Sequence, residues 1–265
     1  MEMTVSQSLS QAWVRAIAEG KIVNEFPTNE DDPFGQWKQG DTIRFGLQLE
    51  NGRPEYFAKN VTASTDLKPT FIERTVGEMG FVIQFNGYRA LRPGGKRPPI
   101  GKQSDFSGDC RFFCHDPSQN LSLLKRDPLI QVALPNWRWN AYYNATPFEQ
   151  EGHILWIPVK VETTCTSLPH FPQELTSEFL EDILALFRNS RRAIIFFNSL
   201  HAGASVNHIH WQGVYHKQEL AIERAAVVSR GSVTLLDGFL VDDHLRRALE
   251  LTTLPGEKIF QLIEN

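Results

Sequence analysis

The order of apolar segments after Asp127 constrains this chain more than any other feature. "HILWIPV" (His153 to Val159) is a continuous apolar run of strand length, and "ELTSEFLEDILALFRNS" follows it with helical spacing. That spacing predicts one helix face made by Phe179, Ile183, Leu184 and Phe187. "AIIFFN" (Ala193 to Asn198) reads as a second strand, and the small-residue turn "SLHAGAS" leads into a third, "VNHIHWQGVYH". Strand, helix, strand, turn, strand predicts an α+β unit with a mainly antiparallel sheet and a helix covering one face.

Upstream, the pattern predicts a helix around Ala12 to Ala18 and a turn-rich loop over "NEFPTNEDDPFGQ". "TIRFGLQLENGRPEYF" reads as a hairpin, because Asn51-Gly52 supplies the positive backbone angles of a two-residue turn. "GFVIQFN" (Gly80 to Asn86) is a further strand, and the tail suggests a helix from Asp242 to Leu251 before the apolar run "KIFQLIEN". Residues 1–40 are expected to form an N-terminal helix and loop, and 41–265 a single compact unit.

The last strand carries the chemistry. With side chains alternating across a strand, His208, His210 and Gln212 share one face, while Asn207, Ile209 and Trp211 take the other. Gly203, Ala204 and Ser205 precede them and are small enough for a ligand to approach backbone N–H groups. A lone H-x-H pattern is as easily structure as chemistry; the glutamine at the next same-face position and the small turn favour chemistry. Imidazole is nucleophilic and largely neutral at pH 7, and an amide donates to phosphoryl oxygens without titrating. That pairing suits transfer to an acceptor that is already an anion.

A net charge of -4 argues against global nucleic-acid binding and leaves any anion site to be built locally. One stretch stands apart: "GYRALRPGGKRPPIGK" holds Arg89, Arg92, Lys96, Arg97 and Lys102 with no acid among them. It is either a solvated basic loop or a phosphate-facing one, in which arginine supplies bidentate oxyanion contacts. Three cysteines, an odd number, suit a reducing cytoplasm, and no segment reads as a signal peptide or a membrane span.

"NHIHWQ" resembles the H-x-H-x-Q signature of the histidine-triad superfamily, in the branch of galactose-1-phosphate uridylyltransferases, diadenosine tetraphosphate phosphorylases and GDP-hexose phosphorylases. "NATPFEQEGHILWIPV", "QFNGYRALRPGGKRPP" and "NSLHAGASVNHIHWQGVYH" with "IERA" after it extend the resemblance over Gly80 to Ala225, and are most similar to the GDP-hexose phosphorylases. The resemblance implies a histidine-triad-like fold and a nucleotidyltransferase or phosphorylase. His210 would be the nucleophile that forms a covalent nucleotidyl-histidine, Gln212 the donor to its phosphoryl oxygens, and His208 a positioning residue or, as in some members, a zinc ligand. Asn198, Ser199, Gly203 and Ser205 would lie at the phosphates, with Arg89 and Arg97 as further phosphate or acceptor contacts.

The substrates implied are a nucleotide or nucleotide sugar and phosphate, with neither nucleic acid nor membrane as partner; a homodimer is left open, as are base and sugar. A hydrolase of the same fold and a nucleotide-binding protein without turnover are the rival readings. No cofactor is required. "CRFFCH" sets Cys110, Cys114 and His115 together, so a structural zinc that recruits His153 or His208 is an alternative to packed thiols.

Overall fold

The computed structural model describes residues 4–32, 35–76, 81–91, 110, 112, 127–159, 170–188, 193–199, 204, 206–215, 234–236 and 239–241. The expected tail helix and the run "KIFQLIEN" lie outside them.

Helix α1 (Val5–Ala18) begins earlier than apolar spacing alone suggests, because Thr4 and Gln7 form a capping box. The Thr4 hydroxyl accepts from the Gln7 N–H, and the Gln7 side chain accepts from the Thr4 N–H at 2.9 Å. Strands β1 (Val23–Pro27), β2 (Thr42–Glu50), β3 (Arg53–Asn60) and β4 (Thr65–Asp66) make one antiparallel sheet in that order. The expected hairpin is present, with φ of 50° at Asn51 and 77° at Gly52. The expected loop is corrected at its start: "VNEFP" is an edge strand, paired with β2 from Val23↔Gly46 to Pro27↔Thr42. Its polar composition concealed a segment whose partner, rather than its own pattern, makes it a strand; Pro27, without an N–H, sits at the end of that edge.

Strands β5 (Phe71–Val76) and β6 (Phe81–Asn86) form a separate ribbon that leads into the short helix α2 (Gly87–Ala90). The second sheet contains β7 (Ile130–Ala133), β8 (Arg138–Tyr143), β9 (His153–Val159), β10 (Ala193–Phe196) and β11 (Trp211–Tyr215), in the order β10-β11-β9-β8-β7 with every neighbour antiparallel. Helix α3 (Ser177–Arg188) connects β9 to β10, and β12 (Thr234–Leu236) pairs with β13 (Phe239–Val241). The fold is α+β with mostly antiparallel sheets, as the segment order implied. No helix among the described residues is long and apolar enough to cross a membrane.

One core cluster ties these elements together: Leu9, Trp13 and Ile17 of α1 and Leu47 of β2 pack with Trp139, Ile154 and Trp156 of the second sheet, with Phe179, Ile183 and Leu186 of α3, and with Ile209 and Trp211. The α3 face differs from expectation, since Leu184 is 43% and Phe187 53% exposed. At 100° per residue, Ile183 lies about 40° and Leu186 about 20° from Phe179, whereas Leu184 lies roughly 140° away. Leu186, not Leu184 or Phe187, completes the buried stripe.

A second correction matters more. Among the described residues of "VNHIHWQGVYH", Trp211–Tyr215 is strand, whereas residues 206–210 lie outside the ladder, and His208 and Ile209 are both fully buried. Likewise β10 ends at Phe196, before Asn198.

Asp182 fixes α3 on the sheet. Its carboxylate, 0% exposed, accepts from the Asn136 N–H at 2.8 Å, the Trp137 N–H at 2.9 Å and the Trp139 indole Nε1–H at 2.8 Å. Removing it leaves the buried Trp139 indole N–H unpaired, at a cost of about 1–3 kcal/mol, and also removes the acceptor of the two part-buried backbone donors at Asn136 and Trp137. Asp182→Ala is therefore expected to lower unfolding stability by roughly 3 kcal/mol in urea titration, while Glu181→Ala on the same helix changes it by less than about 1 kcal/mol.

Candidate active site

Residues 206–210 need hydrogen-bond partners to replace the ladder they leave, and the segment 171–173 supplies them. The Ile209 N–H donates to the Phe171 carbonyl at 2.8 Å, and the Gln173 N–H to Asn207 Oδ1 at 2.8 Å. The buried Gln173 side chain then takes both backbone groups of His210: its Oε1 accepts from the His210 N–H at 2.9 Å, and its Nε2 donates to the His210 carbonyl at 3.1 Å and the Asn198 carbonyl at 2.8 Å. Gln173 was not among the residues singled out from the sequence. Nothing local in "HFPQ" reveals that its amide serves a backbone far along the chain.

The His210 imidazole is oriented by its own segment. Nδ1 lies 2.7 Å from the His208 carbonyl oxygen. An oxygen acceptor there requires a proton on Nδ1, so the lone pair resides on Nε2. Burial pushes its pKa down to about 4, against the opposing effect of that carbonyl bond, and the ring is neutral at pH 7. Phe112 stands edge-on to both imidazoles, with ring centroids 5.6 Å from His208 and 5.3 Å from His210.

Gln212 lies on β11 opposite Leu155 of β9 and Phe196 of β10. Its Oε1 is 2.8 Å from Nε2 of His153, the first residue of β9. His153 is fully buried, and burial above all, with the charge of Arg89 adding to it, pushes its pKa down to about 3. The other ring nitrogen, Nδ1, accepts the Phe148 N–H at 3.3 Å. Phe148 belongs to a loop pinned from the N-terminal half of the chain. Its carbonyls receive Asn24 Nδ2 at Ala145 (2.7 Å), Arg89 Nη1 at Thr146 (2.6 Å), Tyr56 Oη at Pro147 (3.2 Å) and Trp13 Nε1 at Gln150 (2.8 Å).

Of the other residues expected at the site, Asn198 presents a buried Oδ1 with no hydrogen-bond partner among the described residues, an acceptor suited to a ligand hydroxyl. The Ser199 carbonyl accepts from the Ala204 N–H at 3.2 Å. Arg89 lies on the His153 side, its guanidinium 5.4 Å from the centre of the Phe148 ring. Gly203, Ser205 and Arg97 lie outside the described residues.

The His208 ring meets Cys110 and His170. Cys110 Sγ is 3.5 Å from His208 Nδ1, and one ligand atom from each of the three residues lies within 4.8 Å of the others. A thiol and two imidazoles are a donor set that suits zinc. His208 Nε2 is buried without a hydrogen-bond partner among the described residues, which fits a group meant for a ligand. The structure thus groups Cys110 and His208 with His170, and engages His153 with Gln212. Cys114, His115 and Cys165 lie outside the described residues.

No protein-family model and no solved structure matches the chain. It is 30% identical over 153 residues to GDP-D-glucose phosphorylase 1 of Homo sapiens and 30% identical over 152 residues to the protein of the same name from Macaca fascicularis. Each match covers 56% of this chain and 37% of the relative, so the chain matches little more than a third of those proteins' length. The similarity supports a relationship to GDP-hexose phosphorylases.

The two depressed imidazoles couple stability to pH. His153 and His210 have folded-state values of about 3 and about 4, below the ordinary histidine value of 6.5, so the unfolded chain binds more protons between those limits. Their contribution is intact above pH 6.5 and is lost as pH falls toward 4, by on the order of 1 kcal/mol per pH unit for each ring. Urea midpoints are expected to fall between pH 7 and pH 5, and His210→Asn to make that fall shallower.

Proposed function

We propose that the chain is a nucleotidyltransferase of the phosphorylase type, acting on a nucleoside diphosphate sugar, with a GDP-hexose favoured over a dinucleoside polyphosphate. The observation that carries the proposal is the His210 ring: buried, neutral, its Nδ1–H given to the His208 carbonyl at 2.7 Å and its Nε2 lone pair left for an electrophile. The similarity to proteins named GDP-D-glucose phosphorylase 1 supports the choice of donor.

In the first step Nε2 attacks the α-phosphorus, a P–N bond forms, and the bond from that phosphorus to the bridging oxygen breaks, releasing hexose 1-phosphate. Positive charge on the ring is stabilised by the His208 carbonyl, which keeps the Nδ1 proton. In the second step an oxygen of inorganic phosphate attacks the same phosphorus, the P–N bond breaks, and the nucleoside diphosphate leaves with His210 restored. Phosphate is already an anion at neutral pH, so no general base is required. Gln212 serves as a neutral amide donor to the phosphoryl oxygens as charge builds on them. Asn198 and Arg89 are the described residues assigned to ribose and phosphate contacts. Cys110, His170 and His208 would hold a zinc ion, which would act by fixing His208 and the segment that carries the nucleophile.

The test is intact-protein mass spectrometry after mixing with GDP-hexoses, UDP-hexoses and diadenosine tetraphosphate in the absence of phosphate. A nucleoside-monophosphate adduct is expected on the natural chain, discharged by phosphate and absent from His210→Asn. Gln212→Ala is expected to slow adduct formation by about a hundredfold or more, the usual effect of losing one oxyanion donor. No adduct with any donor from folded, ligand-binding protein would overturn the proposal.

A further inference from the structure

We infer that His153 is a positioning residue whose Nε2–H holds the oxygen of the Gln212 amide, so that the amide nitrogen can only be turned toward the phosphoryl group. This rests on the proposed nucleotidyl transfer at His210 and extends it to a histidine that touches neither substrate nor nucleophile.

The argument begins with a group that cannot be reversed. A side-chain amide or a neutral imidazole can exchange donor for acceptor by flipping or by moving a proton, but a backbone N–H only donates. The Phe148 N–H points at His153 Nδ1 from 3.3 Å, so that nitrogen carries the lone pair and Nε2 carries the proton. Nε2 lies 2.8 Å from Gln212 Oε1 and 3.2 Å from Asn144 Nδ2. The Asn144 oxygen is engaged by the Thr146 N–H at 3.0 Å, so its nitrogen, which is no acceptor, faces the ring. Gln212 is then the one acceptor in reach among the described residues, and its oxygen must be the atom presented. A glutamine free to flip would spend part of its time with an oxygen against the anionic phosphate.

Two further observations hold this arrangement in place. The loop that carries Phe148 is fixed by donors from Trp13, Asn24, Tyr56 and Arg89 to four of its carbonyls. His153 is 0% exposed, and burial keeps it neutral, so it does not become a double donor at any pH near neutral. The role of the N-terminal half is thereby more than support. It sets a tautomer, and the tautomer sets a donor.

The first experiment is ¹⁵N NMR of the imidazole rings of the folded chain, which reads the tautomer without any substitution. The Nε2–H form at His153 is expected, and the Nδ1–H form would overturn the inference. The second is a double-mutant cycle on the rate of adduct formation with a GDP-hexose, each variant first shown to unfold cooperatively. His153→Leu is expected to slow the step about a hundredfold with an unchanged pH profile and little change in substrate affinity. His153→Leu combined with Gln212→Ala should be no slower than Gln212→Ala alone, because the histidine acts only through the glutamine. His153→Gln, whose amide nitrogen overlays Nε2, should restore much of the rate. His153→Asn, whose oxygen overlays Nδ1 but which has no donor at the Nε2 position, should not. Losses that multiply in the double variant, or full activity in His153→Leu, would refute the role of His153. Absence of any adduct on the natural chain would instead refute the transfer reaction itself.

Discussion

The site depends on Gln173. A nucleophile carried in a regular strand would have its backbone N–H and carbonyl committed to neighbouring strands and its side chain confined to one face of the sheet. In this chain the ladder stops at Trp211, and the amide of Gln173 replaces it, taking the His210 N–H and carbonyl at once while reaching the Asn198 carbonyl with its second proton. Without that substitution, two buried backbone groups would be orphaned, and the loop that turns His210 toward its own His208 carbonyl would not be worth forming. Orientation of the nucleophilic ring follows from this local backbone path, since the 2.7 Å bond from Nδ1 to the His208 carbonyl spans only two residues.

The same economy governs the other imidazoles. Among the described residues His153, His208 and His210 are buried, and each is distinguished by what its nitrogens meet. A carbonyl at Nδ1 leaves the His210 lone pair on Nε2, the atom proposed to attack phosphorus; a backbone N–H at Nδ1 makes His153 a donor at Nε2; a thiol at Nδ1 places His208 among groups suited to a metal. Burial keeps His153 and His210 neutral, so these two assignments hold at neutral pH. The cost of burying His153 and His210 is offset in part by the hydrogen bonds that their nitrogens make within the fold, and it grows as acid protonates the unfolded chain.

Much of this was legible in the residues. The antiparallel α+β character follows from segment order, and the Asn51-Gly52 hairpin from backbone sterics alone. The H-x-H-x-Q spacing marked His208, His210 and Gln212 without any coordinates. The reading that placed those three on one strand face was less successful, because periodicity assumes a ladder, and "VNHIH" gives its backbone bonds to Phe171 and Gln173 instead. The α3 stripe erred for a related reason: six large apolar residues between Phe179 and Phe187 leave several candidate faces, and packing in the core with Trp137 and Trp139 selects the one through Phe179, Ile183 and Leu186.

What the sequence determined by itself is what depends on neighbours within a few residues: the capping box at Thr4, the hairpin turn, the strand at His153, and the close spacing of two histidines and a glutamine. What only the tertiary structure decided is which atom faces which. The Phe148 N–H reaches His153 because four side chains from the first ninety residues pin the loop between them, and Gln173 reaches His210 across 37 positions of chain. A tautomer or an amide orientation is set by the partner that meets it in space, and a hydrogen bond between distant segments leaves no periodic trace in either one.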